Sequence, residues 1–479
     1  MISGSLLPSY FTQLIGDPTN PPTLKATAGF SGFGLIDGDH YYTANLNWGS
    51  TNVFYRQIRN FVIDTTNIAP GTAATGIHWP TAQATSLQNI VFNMPTAAGV
   101  VHVGLFMEEG SGGFLTDLTF NGGATGASMG NQQFTMRNLV FNNCVTAIIH
   151  LWDWGWTYVG ITINNCKTGI DMTATNNGAI TTGSVTLIDS SFTNVATGIL
   201  TAWSSSSSPA TAGSLVLENV ALNNVPVAVQ GPSGTLLSGT SGTTTITGWG
   251  NGHRYVPTGP QQFSGTVTPN SRPASLLNGG KYYTRSKPQY NTIPASSFLS
   301  VRSAGAKGDG ATDDTTALQN AINSAASAGK VLYIDYGLYR VTNTIVIPPG
   351  SKIVGESYPV IMSAGGAFNN INAPKPVIQV GSSSGLSGYV ELSDFIVGTQ
   401  GAQAGATLIE WNLATSGTPS GMWDVHTRIG GFTGSQLQVA QCPKAPGNSA
   451  VNSNCIGAYM SMHITKGASN LYMENVWLW

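Results

Sequence analysis

The chain has 479 residues, yet only 8% of them are charged, with 19 basic against 21 acidic side chains and a net charge of −2. Ordinary soluble domains carry roughly 25% charged residues; here Gly (59 residues), Ser, Thr and Asn fill the deficit, while apolar residues stand at 41%. This balance excludes a basic nucleic-acid surface, a membrane-spanning helix of ~20 apolar residues and long coiled coils; the 11 Trp, 16 Tyr and 17 Phe also argue against disorder.

The N-terminal segment "MISGSLLPSYFTQLIG" has no basic start, no long apolar run and no small-residue cleavage site, so it does not read as a signal peptide. The first half then repeats a short strand-and-turn phrase. It occurs as "FNMP" at Phe92, "FNGG" at Phe120, "FNNCVTAI" at Phe141–Ile148, "INNCKTGI" at Ile163–Ile170, "FTNVATGI" at Phe192–Ile199 and "LNNVPVAV" at Leu222–Val229, with spacings of 28, 21, 22, 29 and 30 residues. Alternation and Gly/Asn turns fit these phrases, and no helical period does. Repeats of this length built from short strands predict a parallel β-helix, one coil per repeat. Equivalent side chains then stack ~4.8 Å apart, and the Asn residues form a hydrogen-bonded ladder. Cys144 and Cys166 fall at the same place in successive coils, which favours stacked buried thiols over a disulfide.

Residues 249–298, rich in Pro, Gly, Ser and Thr but also in Tyr and Leu, read as an ordered linker. It separates a first β-helix at 1–248 from a second at 299–479. The one convincing helix lies in "DGATDDTTALQNAINSAASAGK". Asp313 or Asp314 can cap it, Ala317, Leu318, Ala321 and Ile322 form its apolar stripe, and Gly329 ends it. It is expected to cap the lower end of the second β-helix. Asp309, Asp313 and Asp314 resemble a metal cluster, but turn and cap formation explain them better. Further on, Cys442 and Cys455 bracket a polar loop and are expected to form a disulfide if the protein is exported. No Asn-x-Ser/Thr sequon occurs, so N-glycosylation is not expected.

The two halves also match each other. "LIGD" (Leu14–Asp17) pairs with "IVGE" (Ile353–Glu356), "QIRNFVID" (Gln57–Asp64) with "ELSDFIVG" (Glu391–Gly398), "ATGIHW" (Ala74–Trp79) with "ATLIEW" (Ala406–Trp411), and "FTMRNLVF" (Phe134–Phe141) with "LYMENVWL" (Leu471–Leu478). The fold expected is therefore all-β: two tandem right-handed parallel β-helices of pectate-lyase type, with a short capping helix on the second. In this alignment the first half has no counterpart of the lid helix, and the second stops where the first runs on, so both ends are expected to be cut.

"VRSAGAKGDGATDDTTALQNAI", "GLYRVTNTIVIPPGSKIVGE", "EEGSGGF", "GNQQFTMRNLVFNN" and "WDWGWTYVGITINNC" together resemble the fungal exo-β-1,3-glucanases of glycoside hydrolase family 55. The "GAKGDGATDDT" phrase is common to many pectate-lyase-like β-helices, whereas the other series is more specific. The resemblance spans nearly the whole chain. It implies a secreted enzyme that hydrolyses β-1,3-glucan from the non-reducing end with inversion, without metal or cofactor, acting as a monomer on a neutral polysaccharide. It places the positioning of the nucleophilic water on Gln83 of "AQATSLQN" and Ser111 of "EEGSGGF". The general-acid Glu is expected beyond Trp479. Pro80 stands where the family usually has Gln.

Other residues are weighed by type. Trp152, Asp153 and Trp154 are candidate substrate contacts, indoles on glucose faces and Asp153 as hydroxyl acceptor; the competing reading puts the tryptophans in the core. Glu108 and Glu109 either line the cleft as sugar ligands or form a solvated loop. Glu410, beside Trp411, is an acid candidate by type, but its equivalence to His78 favours a structural coil position. His78 has no Ser or Cys partner in a recognised motif and reads as structural. Two alternatives remain: a non-catalytic glucan-binding β-helix, and a pectin-active polysaccharidase, against which the scarcity of charge argues.

Overall fold

A computed structural model describes residues 1–479, which divide into two compact units, Met1–Ser286 and Lys287–Trp479. In the first unit, short strands rich in β-branched and aromatic residues pair in parallel with the strand one coil later. Arg56–Asp64 pairs with Thr85–Asn93, which pairs with Phe114–Asn121, which pairs with the second part of Thr125–Asn142. A second face runs from Thr23–Asp37 through Thr75–His78 and Val103–Met107 to the first part of Thr125–Asn142.

The register puts like on like. Phe92, Phe120 and Phe141 stack face to face inside the coil, with ring centroids 4.5 and 4.7 Å apart, each burial contributing about 2 kcal/mol. Outside them, Asn121 donates to Asn93, Asn142 to Asn121 and Asn164 to Asn142, at 3.0, 3.1 and 3.0 Å. A second ladder links Asn224, Asn194 and Asn165. Its members, with Asn60, Asn89 and Asn138, lie at positive φ, the left-handed corner that Asn tolerates better than other residues with a side chain. Cys144 and Cys166 are free and buried, as the stacked-thiol reading expected.

The expected linker begins too early. Trp249–Val256 completes the strand Gly234–Val256, which runs antiparallel along Ser214–Gly231, and Gly259–Thr266 pairs with it in turn. Residues read as linker for their Gly and Thr content instead cover the last parallel strand, satisfying its backbone groups. The chain beyond is fastened by Arg272, which reaches Asp189 at 2.6 Å and Glu218 at 2.5 Å.

The second unit is a three-faced parallel β-helix, with sheets of six, five and four strands and one coil feeding each face in turn. The helix Thr315–Ser327 buries Leu318, Ala321, Ile322 and Ala325 against its first coil. Asp314 occupies the position before the helix, but its carboxylate accepts from the Lys307 and Gly308 amides of the preceding turn, at 2.7 and 2.9 Å. Asp313 is the one that meets the first helical N–H, Thr315 N, at 3.1 Å. Asp309 likewise closes its own turn through Ala311 N and Thr312 N, so these acids serve the backbone. Cys442 and Cys455 form the expected disulfide.

The internal match extends to close contacts. A Cβ on Gly16 would lie 1.9 Å from Asn60 O and 2.6 Å from a Pro22 ring carbon, and one on Gly355 would lie 2.2 Å from Asp394 O and 2.8 Å from a Pro359 ring carbon. Asn60 and Asp394, aligned by sequence, share φ values of 65° and 64°.

In the second unit Lys287 is buried between Asp394 and Asp424, at 2.6 and 2.5 Å. Replacing it (Lys287→Met) strands two buried carboxylates, and urea unfolding should register a loss of about 3–5 kcal/mol. His426 lies close by with no exposed surface. Burial pushes its pKa down to about 4, against the pull of Asp424, with Lys287 adding to the fall. Its Nδ1 accepts Trp477 N at 3.3 Å, which requires an unprotonated nitrogen. Because the folded pKa lies below the unfolded one, this contribution is complete above about pH 6.5 and is lost as pH falls towards about 4, up to about 3 kcal/mol in all. His426→Gln should flatten that part of the stability profile in denaturant titrations.

Candidate active site

Two successive coils of the first unit turn at the same level. The first turn joins Thr75–His78 to Thr85–Asn93, and the second joins Val103–Met107 to Phe114–Asn121. They are laced together: Ser111 N donates to Thr81 O at 3.1 Å, and the buried Asn131 donates to Thr81 O at 3.2 Å while accepting Gly112 N at 2.8 Å. Gly110 sits so close that a Cβ would lie 2.0 Å from both Asn131 Nδ2 and Thr81 O. The two water-positioning residues expected from the resemblance come together here. Ser111 Oγ donates to Gln83 Oε1 at 3.0 Å; Ser111 is nearly buried and Gln83 half-buried.

Glu108 stands at the head of the same turn, and neither earlier reading of it is complete. Its carboxylate is neither a free sugar ligand nor a solvated one, because His78 Nε2 lies 2.7 and 2.9 Å from its two oxygens and the Tyr41 hydroxyl donates to it. His78 Nδ1 lies 2.7 Å from Asp37 Oδ1, and His40 Nδ1 lies 2.7 Å from Asp37 Oδ2. The imidazole is buried among Phe33, Tyr41 and Phe106. Burial alone would lower its pKa, yet Asp37 and Glu108 raise it above the ordinary histidine value. Burial likewise works against the Asp37 carboxylate, and hydrogen bonds from His78 and His40 overcome it to hold its pKa low. Glu109 is exposed and accepts from Ser50 Oγ at 3.1 Å. Sequence reasoning passed over Asp37, His40 and Tyr41. The signal was the cluster "DGDH" at Asp37–His40, conspicuous in so charge-poor a chain.

Of the tryptophan cluster, only Trp154 is open, with 66% of its surface exposed. Trp152 is half-buried and donates its indole N–H to Glu108 O at 2.6 Å, so it braces the turn. Asp153 corrects the expectation of a sugar ligand. It is buried, accepts the Gly183 and Ser184 amides at 3.2 and 3.0 Å, and lies 3.0 Å from His150 Nδ1. A β-bulge between His150 and Trp152 shifts the strand's alternation, turning Asp153 inward and Trp154 outward.

In the second unit Glu410 accepts from Gln379 and Asn412, each at 3.0 Å, and pairs with His463 at 3.4 Å. Burial would raise its pKa, but these partners hold it below the ordinary value. A carboxyl kept ionised in this way is unsuited to act as an acid.

The chain matches the family model described as rhamnogalacturonase A/epimerase, pectate lyase-like, over residues 1–171 and 298–422. It is similar to a "Glucan 1,3-beta-glucosidase" of Cochliobolus carbonum, 47% identical over all of this chain and 61% of that protein. A "Probable glucan endo-1,3-beta-glucosidase" of Arthroderma benhamiae is 39% identical over all of this chain and 65% of its own length. A Penicillium expansum protein named as a "Non-secreted LysM effector" is 39% identical over all of this chain and 38% of its own length. The chain thus spans less than two thirds of the length of each of these relatives.

The geometry separates fold from surface within one short segment. Asp153→Ala removes an acceptor of two amides and should cost about 2–4 kcal/mol in urea unfolding. Trp154→Ala should stay within about 0.5 kcal/mol of the unchanged protein.

Proposed function

We propose that this chain, which belongs to the rhamnogalacturonase A/epimerase, pectate lyase-like family, carries the water-holding part of an inverting glycoside hydrolase that acts on β-1,3-glucan from the non-reducing end. The carrying observation is the hydrogen bond between Ser111 Oγ and Gln83 Oε1. Inversion needs a water held on the face opposite the leaving oxygen, with a lone pair aimed at the anomeric carbon. Ser111 commits its proton to Gln83, so its own lone pairs and the second lone pair of Gln83 Oε1 are acceptors. A water giving both hydrogens to these acceptors keeps its lone pairs for attack. As that water's oxygen bonds to the anomeric carbon, the glycosidic C–O bond breaks and the leaving oxygen takes a proton from a general acid. The attacking water's surplus proton passes to solvent water, because neutral Ser111 and Gln83 orient the water without keeping its proton, and the acid is reprotonated from solvent. The acid is a separate carboxyl, which we assign to the part of the relatives' length that this chain does not span. The exposed indole of Trp154 offers a flat apolar face for a glucose ring.

A neutral glucan also suits a chain with 8% charged residues better than a polyuronate does. We place the protein outside the cell on the strength of the Cys442–Cys455 disulfide, although one relative's name describes it as non-secreted.

In a chain extended to the relatives' length, laminarin should be converted mainly to glucose. Gln83→Ala and Ser111→Ala should each lower kcat about 100- to 1,000-fold with little change in KM. Full activity in both variants, or cleavage of polygalacturonate in place of laminarin, would overturn the assignment. Binding of laminarin without turnover by the extended chain would favour a non-catalytic glucan-binding role.

A further inference from the structure

The Asp37–His78–Glu108 array is more elaborate than a buried histidine needs. Its members come from three successive coils: the end of Thr23–Asp37, the end of Thr75–His78 and the residue after Val103–Met107. Each ring nitrogen of His78 faces a carboxylate, 2.7 Å to Asp37 on one side and 2.7 Å to Glu108 on the other. Only the doubly protonated ring can donate in both directions. A neutral ring has one N–H, so one buried carboxylate would then face a nitrogen lone pair.

Glu108 opens the turn whose fourth residue is Ser111. The turn is held by the Glu108 side chain, by Trp152 on Glu108 O, by Ser50 on Glu109 and by the Thr81 bridge. We propose that His78 is a positioning residue for the glucan site: its imidazolium ties the Glu108–Ser111 turn and the loop carrying Tyr41 to Asp37, and loss of one ring proton releases the tie and moves Ser111 away from Gln83. This proposal rests on the assignment of Gln83 and Ser111 as the water-holding pair.

The charged and titratable groups around the ring are Asp37 on its first neighbour, Asp39, His40 and Tyr41 on the covering loop, and Glu108 on the following turn. Glu109 stands by Tyr41, and the nearby guanidinium of Arg56 donates to Gly38 O and is drawn to Asp39. Negative groups dominate and favour the imidazolium. The sign follows: the folded pKa of His78 is raised, so the tie is complete below the ordinary histidine pKa and is lost as pH rises through the raised one. Asp37, with its pKa lowered, keeps its charge down to below the ordinary aspartate value.

The test uses the chain as it stands, with laminarihexaose as probe. Because release of the tie displaces the whole Glu108–Ser111 turn and the Tyr41 loop, not the Ser111 hydroxyl alone, binding measured calorimetrically from about pH 6 to about pH 9 should weaken roughly tenfold or more in the unchanged protein. His78→Gln should bind weakly throughout and show no such transition. A transition of equal size in His78→Gln would overturn the proposal. Two further readouts need no sugar. The ring nitrogens of His78 should both carry protons at about pH 6, below the ordinary histidine pKa, by nitrogen NMR, and a single proton there would overturn the proposal even if the variant failed to fold. Hydrogen-exchange protection of residues 108–113, corrected for intrinsic rates, should fall with the same midpoint. Laminarihexaose failing to bind at any pH, with both sugar-free readouts as expected, would remove the glucan reading and leave the tie intact.

Discussion

Everything in this chain depends on the stacking of identical backbone positions at the spacing of a parallel sheet, ~4.8 Å. Like charges at that distance repel, so the coils carry amides, hydroxyls and aromatic rings that gain from a copy of themselves above and below. The Phe92–Phe120–Phe141 stack and the Asn93–Asn121–Asn142–Asn164 ladder are the same constraint expressed inside and outside one corner. At three places where carboxylates stack along the coils, a cation sits between them. Arg272 bridges Asp189 and Glu218, Lys287 bridges Asp394 and Asp424, and His78 bridges Asp37 and Glu108. Of the three, only the imidazole of His78 is a side-chain type that ordinarily titrates near neutral pH.

The same stacking builds the candidate site. Gln83 and Ser111 are 28 residues apart in the chain, and they meet because each follows the end of an equivalent strand and the two turns share backbone hydrogen bonds. Neither side chain is charged, and neither needs to be, because the task assigned to them is to orient a water. Their geometry therefore rests on the turn's anchors rather than on mutual attraction. The Gly110 close approach, Asn131 beneath the turn, and the Trp152 and Glu108 contacts all act on that one short segment.

Much of the fold was legible because stacking writes itself into sequence as a repeated phrase, and the Asn at each left-handed corner marks the coil boundary. Gln83 and Ser111 were named from resemblance alone, and the coil register sets their side chains in hydrogen-bond contact. Three features were hidden for physical reasons. The hairpin Gly234–Thr266 lacks the coil phrase, because antiparallel strands covering the end of the stack have no neighbour to copy. The inward turn of Asp153 depends on a one-residue bulge that alternation cannot reveal. The tie through His78 joins residues 41 and 30 positions away, and only the coil register brings them into contact.

The most direct test of the site is the anomeric form of the first glucose released from laminarin by a chain of the relatives' length, followed by proton NMR before mutarotation. A water held by Gln83 and Ser111 opposite the leaving oxygen gives α-glucose, with the solvent oxygen at the anomeric carbon. β-Glucose as the first product would mean attack from the other face or through a covalent intermediate, and would contradict the role given to that pair.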